Sequence, residues 1–228
     1  MANSAVLHIR FQGTGLIKRL IIGTLASLSI FILPALLKTN ALRHSRLWIL
    51  ALITIIAQLF QPTYKPIDKS APKHDRSTAA QIVWSVYLTQ LMGVIEAVYY
   101  RYPESFQTNP IDIIAFLLML VGLGFRTWSI RELGRFFTWH ITVQPGQTVI
   151  QTGPYSIVRH PAYAGALLMY SSTLIFIHSW VAALIAPIVI GAAFLRRIHY
   201  EEAWLKRYIG YEYDKYSRQV KKLIPFVW

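Results

Sequence analysis

Apolar residues in this chain collect into six runs, residues 20–37, 47–60, 79–100, 111–130, 161–177 and 180–195, separated by shorter polar connections. A helix needs about 20 mostly apolar residues to cross hydrocarbon, within a range of about 17 to 25. Four runs are long enough as they stand, and 47–60 and 180–195 borrow flanking residues. The pattern predicts an all-α integral membrane protein of about six transmembrane helices. Only His178 and Ser179 part the last two runs, which forces a tight helical hairpin. Pro34 and Pro187 lie inside runs and are expected to kink their helices, because proline removes a backbone donor and crowds the preceding turn.

Two polar stretches carry local order of their own. Residues 139–143 alternate, Gln144-Pro145-Gly146-Gln147 has the sequence of a type II turn, and 148–151 return, so a small surface hairpin is expected between the fourth and fifth helices. Residues 200–217 are helix-prone, charged and rich in Tyr and Trp, which suits a C-terminal interfacial helix, with Gly210 interrupting it and Pro225 ending the ordered tail. The chain thus divides into N-terminal transmembrane helices over 1–130, about four spans, and a region over 131–228 that holds most of the polar chemistry. The first fifteen residues are mixed and the run after them exceeds a signal core, so a retained helix is expected. The C-terminal Ile-Pro-Phe-Val-Trp is not a prenylation box.

Composition supports the membrane reading: 54% of residues are hydrophobic and 14% charged, against about 25% charged in soluble domains, and the mean hydropathy is +0.40. The net charge of +13 comes from residues that flank apolar runs rather than forming one stripe, which points to the membrane surface and away from nucleic acid. In a six-span arrangement 19 Lys and Arg fall on the side holding both termini and four on the other. Positive charge stays cytosolic, so both termini are expected in the cytosol. The absence of cysteine excludes disulfides, iron–sulfur clusters and a Cys nucleophile. The histidines show no ligand spacing, and no metal site is expected.

Candidate chemistry gathers in two places. Residues 153–165 read Gly-Pro-Tyr-Ser-Ile-Val-Arg-His-Pro-Ala-Tyr-Ala-Gly, placing His160 before a proline suited to a helix's first turn. Backbone donors and the helix dipole there suit an anionic group, and Gly165 permits close approach. Downstream, Arg197 and Glu201 are four apart on a helix and Glu202 lies one residue further round, so one guanidinium is placed to address both carboxylates. These residues equally suit a helix-end ion pair and a loop anchor. Tyr200, Trp204, Tyr208, Tyr211, Tyr213 and Tyr216 suit interface anchors, some of which could wall a pocket.

Taken together, Gly153-Pro154-Tyr155, Arg159-His160-Pro161-Ala162-Tyr163-Ala164-Gly165, the Arg197 and Glu201-Glu202 cluster, the Tyr-rich stretch 208–216 and Ile224-Pro225-Phe226 resemble the isoprenylcysteine carboxyl methyltransferase family from residue 131 to the C-terminus. The resemblance implies an integral membrane enzyme, of the endoplasmic reticulum in eukaryotes, that uses S-adenosylmethionine to methylate the carboxylate of a C-terminal prenylated cysteine on a protein or a small prenylcysteine. It makes Arg197 and Glu202 the active-site pair, with Glu202 orienting the guanidinium, and places Gly153, Tyr155, His160, Tyr163, Gly165 and Glu201 against the cofactor. The acidic run is shorter than in many eukaryotic members. Rival readings are methyl transfer to a phospholipid amine, a sterol-type NADPH reductase with a similar Arg-His-Pro-x-Tyr pattern but more spans, and a scaffold or small transporter in which the charges only set topology. Membrane lipids are partners in each.

Overall fold

The computed structural model describes residues 13–60, 72 and 75–224. Among these residues seven α-helices follow one another: α1 (Gly13–Phe31), α2 (Ser45–Phe60), α3 (Thr78–Ile95), α4 (Pro110–Leu133), α5 (Pro161–Phe176), α6 (Trp180–Ile209) and α7 (Tyr211–Gln219). Among the described residues extended backbone pairs only at one parallel bridge, Val158 with Lys221.

Among the described residues three helical stretches are long and apolar enough to cross a membrane: Thr78–Tyr100, in which a π-turn prolongs α3, Pro110–Phe136 and Trp180–Ile209. Shorter apolar helices cover Leu20–Ala35 and Ser45–Phe60, and α5 has 16 residues, about 24 Å at about 1.5 Å per residue. The bundle is a membrane protein's, with outward-facing Ile113, Leu184 and Ile188 each about two-thirds exposed. Its expected six full-length spans are met in length by three.

Local chemistry sets the helix ends. Asn109 caps α4, its side chain accepting from Ile111 N at 3.1 Å while Asp112 accepts from Asn109 N at 2.8 Å. Glu96 caps α6 by accepting from Val181 N and Ala182 N at 3.1 and 2.8 Å. Pro34 does not kink a long helix: α1 stops at Phe31 and the proline sits in a following 3-10 turn. Pro187 stays inside α6, which runs on for 30 residues to Gly210, whose φ of +71° ends it before α7. The charged residues 196–202 therefore ride on an unbroken extension of a membrane helix.

The expected surface hairpin is not formed. Its turn exists, with Gln147 N donating to Gln144 O at 3.0 Å and Gly146 at φ +69°, but the flanking arms form no ladder. Their backbone groups are engaged by other elements: Trp139 O accepts from Arg197 and Ile141 N donates to Asp75. The expected end of order at Pro225, and the mixed stretch before residue 13, lie outside the described residues.

Helices α4 and α5 touch backbone to backbone. A Cβ on Gly165 would fall 2.6 Å from Gly122 O and 2.7 Å from Arg126 N. At the opposite end of these helices Asp112 joins Arg46 (2.5 Å) and His178 (2.6 Å), while Arg46 also donates to the carbonyls of Ser105, Gln107 and Phe176. This buried cluster ties the start of α2, the start of α4 and the α5–α6 turn together.

Candidate active site

One cavity of about 390 Å³ threads the bundle, a volume within the about 300–1,000 Å³ usual for small-molecule sites. Toward α1–α3 its wall is apolar, with Ile30, Leu50, Ile82, Val86 and Met119. At the end reached by the 139–160 connection and the second half of α6 it turns polar, with Tyr155, Arg159, His160, Tyr163, Arg197 and Glu201.

Arg197 is the centre of the polar end, 3% exposed on α6. Its Nη1 donates to Asp75 Oδ1 and to Thr78 Oγ1 (3.0 Å), and its Nη2 to Trp139 O (2.8 Å). Its Nε–H has no hydrogen-bond partner, the Glu201 Oε2 lying 3.8 Å away. Asp75, 1% exposed, also accepts from Ile141 N at 3.0 Å and has His140 Nδ1 at 3.7 Å. Burial alone raises its pKa, yet Arg197, the Ile141 and Ala79 amides and His140 together hold it below the ordinary value. It is a carboxylate throughout the physiological range.

Aromatic rings wall the same end. Tyr163 donates to Glu201 Oε2 at 2.8 Å and is stacked between His160 and Phe194, at 5.8 and 5.0 Å between centroids. Tyr216 donates to Tyr155 O at 2.6 Å, and Tyr155 to Ser129 O at 3.3 Å. Burial, then Glu201 for Tyr155 and the carboxylates of Glu202 and Glu201 for Tyr213, push these hydroxyls well above the usual phenol range, so both are neutral. Tyr208 and Tyr211 are exposed, whereas Trp204, Tyr213 and Tyr216 line the cavity.

Five of the eight site residues expected from the sequence, Tyr155, His160, Tyr163, Arg197 and Glu201, line this one cavity; Gly153, Gly165 and Glu202 lie outside its lining. Gly153, at φ +55°, turns the chain so closely against α4 that a Cβ would meet Glu132 at 3.1 Å. Gly165 serves the α4–α5 contact. Glu202 does not orient Arg197, because it faces the other side of α6: its Oε1 accepts from Arg159 Nε (2.9 Å) and meets His160 Nε2 (3.1 Å), with Lys222 Nζ 3.8 Å from Oε2. Arg159 also donates to the carbonyls of Ser217 and Val220, and the amides of Arg159 and His160 donate to Lys221 O and Lys222 O. This group stitches the chain after α7 onto the start of α5. Sequence reasoning missed Asp75 and Trp139. The signal for Asp75 was its scarcity, since ten acidic residues serve 23 Lys and Arg.

The donor set suits a ligand that carries an amino group, a cation and a flat ring. Glu201 offers a partly exposed carboxylate to an amino group, and the aromatic wall suits both a flat base and a sulfonium cation.

Residues 113–207 match the profile of the isoprenylcysteine carboxyl methyltransferase family. Over 144 residues the chain is 30% identical to protein-S-isoprenylcysteine O-methyltransferase B of Arabidopsis thaliana, covering 61% of this chain and 73% of that protein. It is 26% identical over 149 residues to a probable protein-S-isoprenylcysteine O-methyltransferase of Oryza sativa subsp. indica (64% of this chain, 77% of the relative). A protein-S-isoprenylcysteine O-methyltransferase of Schizosaccharomyces pombe is 26% identical over 160 residues (62% and 67%). The matched region holds the whole of α5 and most of α6, and on this similarity of sequence the chain belongs to the isoprenylcysteine carboxyl methyltransferase family.

Proposed function

We propose that this chain methylates the carboxylate of a prenylated cysteine, with Arg197 holding that carboxylate, and that S-adenosylmethionine is the methyl donor. The observation that carries the reading is the unpartnered edge of Arg197: a buried guanidinium, charged at any working pH, keeps its Nε–H unbonded at the polar end of a cavity that continues into the apolar bundle. The Nε–H and the neighbouring second Nη2–H match the two oxygens of a carboxylate. The apolar lobe suits the hydrocarbon chain that such a substrate carries.

S-adenosylmethionine supplies a methyl group activated by the sulfonium it sits on. The substrate carboxylate is ionised near neutral pH; its lone pair would form the O–CH3 bond as the S–CH3 pair returns to sulfur, leaving neutral S-adenosylhomocysteine, so no proton moves and no general base is required. The protein's work is alignment and exclusion of water. Arg197 fixes the carboxylate, Glu201, steadied by Tyr163, receives the amino group of the donor, and Tyr155, His160 and Tyr163 wall the donor's ring system. The reading extends to topology: six crossing helices with the polar end and both termini toward the cytosol, supported by the distribution of Lys and Arg.

The test is incubation of the purified protein with methyl-labelled S-adenosylmethionine and a farnesylcysteine analogue. A base-labile methyl ester is expected. Arg197→Lys, which keeps the charge but loses the planar edge, is expected to lower turnover on the order of 10²-fold with donor affinity retained. Absence of ester from folded, donor-bound protein overturns the reading.

A further inference from the structure

We infer that Asp75 is a positioning residue for the reaction: it holds the Nη1 end of Arg197 so that the side-on edge faces the substrate rather than Glu201. The inference rests on the carboxylate-holding role given to Arg197 above. A guanidinium has five N–H groups. In Arg197 the two on Nη1 go to Asp75 and Thr78, and one on Nη2 goes to Trp139 O. Of the rest, Nε–H has no hydrogen-bond partner, and the Tyr163 hydroxyl also contacts the guanidinium; the Nε side is the one that pairs with a carboxylate.

Two acids compete for this cation. Glu201 is one helical turn along α6 and 3.8 Å from Nε, the spacing at which helical ion pairs close. Asp75 arrives from the segment before α3, 122 residues away in sequence, and is itself locked by the amides of Ile141 and Ala79. It keeps Arg197 from turning onto Glu201, which leaves both Glu201 and the Nε edge open to ligands. Without the Asp75 charge the nearest anion is Glu201, and closing that pair consumes the edge.

The experiment is a double-mutant cycle. Asp75→Asn keeps the shape and one hydrogen-bond acceptor while removing the charge. It is expected to raise KM for the farnesylcysteine analogue about tenfold and to lower kcat/KM by roughly 10- to 100-fold. Affinity for S-adenosylhomocysteine, measured by calorimetry, should also fall severalfold, because Arg197 closing onto Glu201 occupies the carboxylate that receives the amino group. A merely structural role reduces the amount of active protein without moving the substrate KM. In the Arg197→Lys background Asp75→Asn should add no further loss, because its effect passes through the arginine. Thr78→Val, which removes the other Nη1 acceptor at constant shape, is expected to give a smaller loss of the same kind, about three- to tenfold. It also covers the case in which Asp75→Asn does not fold. An unchanged substrate KM in Asp75→Asn, or in Thr78→Val where that variant stands alone, overturns the inference, as do additive losses in the cycle. Impaired Arg197→Lys alongside unaffected Asp75→Asn removes this inference alone, whereas full turnover in Arg197→Lys removes the carboxylate reading and this inference with it.

Discussion

Replacement of Gly165 by alanine tests whether this glycine serves helix packing or the cavity. An added Cβ lands 2.6 Å from Gly122 O, 2.7 Å from Arg126 N and 3.1 Å from Arg126 Cβ. Ordinary van der Waals contact begins near 3.4 Å, so α4 and α5 must part by about 0.8 Å, the difference between 3.4 and 2.6 Å. Both nearest atoms are backbone of a regular helix and have no rotamer into which to retreat. Overpacking of this kind costs about 1–3 kcal/mol, offset by roughly 0.5–1 kcal/mol because alanine is the better helix former. The net expectation is a loss of about 1–2 kcal/mol, with the bond from Arg126 to Ala162 O, now 3.1 Å, stretched. Equilibrium unfolding in mixed micelles measures this, and S-adenosylhomocysteine affinity measures the effect on the site. Gly122→Ala serves as the control, since its Cβ would lie 2.6 Å from Gly165 O and from Met169 N across the same contact. Matched losses of stability support packing. Wild-type stability with abolished cofactor affinity in Gly165→Ala alone refutes it and moves Gly165 to the cofactor.

Two other clusters invite shorter tests. Asp112→Ala leaves Arg46 buried without its carboxylate and is expected to destabilise the bundle by about 3–5 kcal/mol in the same unfolding assay. The paired change Arg46→Met with Asp112→Leu should recover most of that loss; failure to recover would assign the cluster more than a structural part. Glu202→Gln weakens the charged contacts that stitch residues 220–222 to Arg159 and His160. It is expected to speed proteolytic cleavage after α7 severalfold while leaving the substrate KM within about twofold. A selective rise in that KM would restore Glu202 to the substrate side.

The helices were legible because an apolar run in a chain of this composition must face either lipid or another helix. Runs 111–130 and 161–177 reappear almost unchanged as α4 and α5. The extension of α6 past residue 195 was less legible, because hydropathy falls there while helix propensity does not: Arg, Lys, Glu, Ala and Leu all sustain a helix. The alternation over 139–143 misled because a period of two describes any extended segment, whether its backbone partners are a second strand or, as here, side chains from α6 and the segment before α3. Asp75 left no local trace of its role, since nothing in the sequence near residue 75 points to residue 197.

Among the described residues three buried arginines, Arg46, Arg159 and Arg197, pair with carboxylates, and their hydrogen bonding separates their roles where charge and burial cannot. The terminal nitrogens of Arg46 meet three carbonyls and Asp112. Arg159 spends Nε and Nη2 on Glu202 and Nη1 on two carbonyls. Both terminal nitrogens of Arg46 and all three nitrogens of Arg159 are engaged by the protein, as befits groups that fasten elements together. Arg197 is buried as deeply as either, yet its Nε–H is left without a partner. An orphaned donor on a buried cation is costly unless a ligand completes it. From sequence, the resemblance named Arg197 for the work of the site, and Arg159 stood only within the motif around His160. The unfilled Nε–H selects Arg197, and the part inferred for the buried Asp75 is to keep it from closing on the protein's own Glu201.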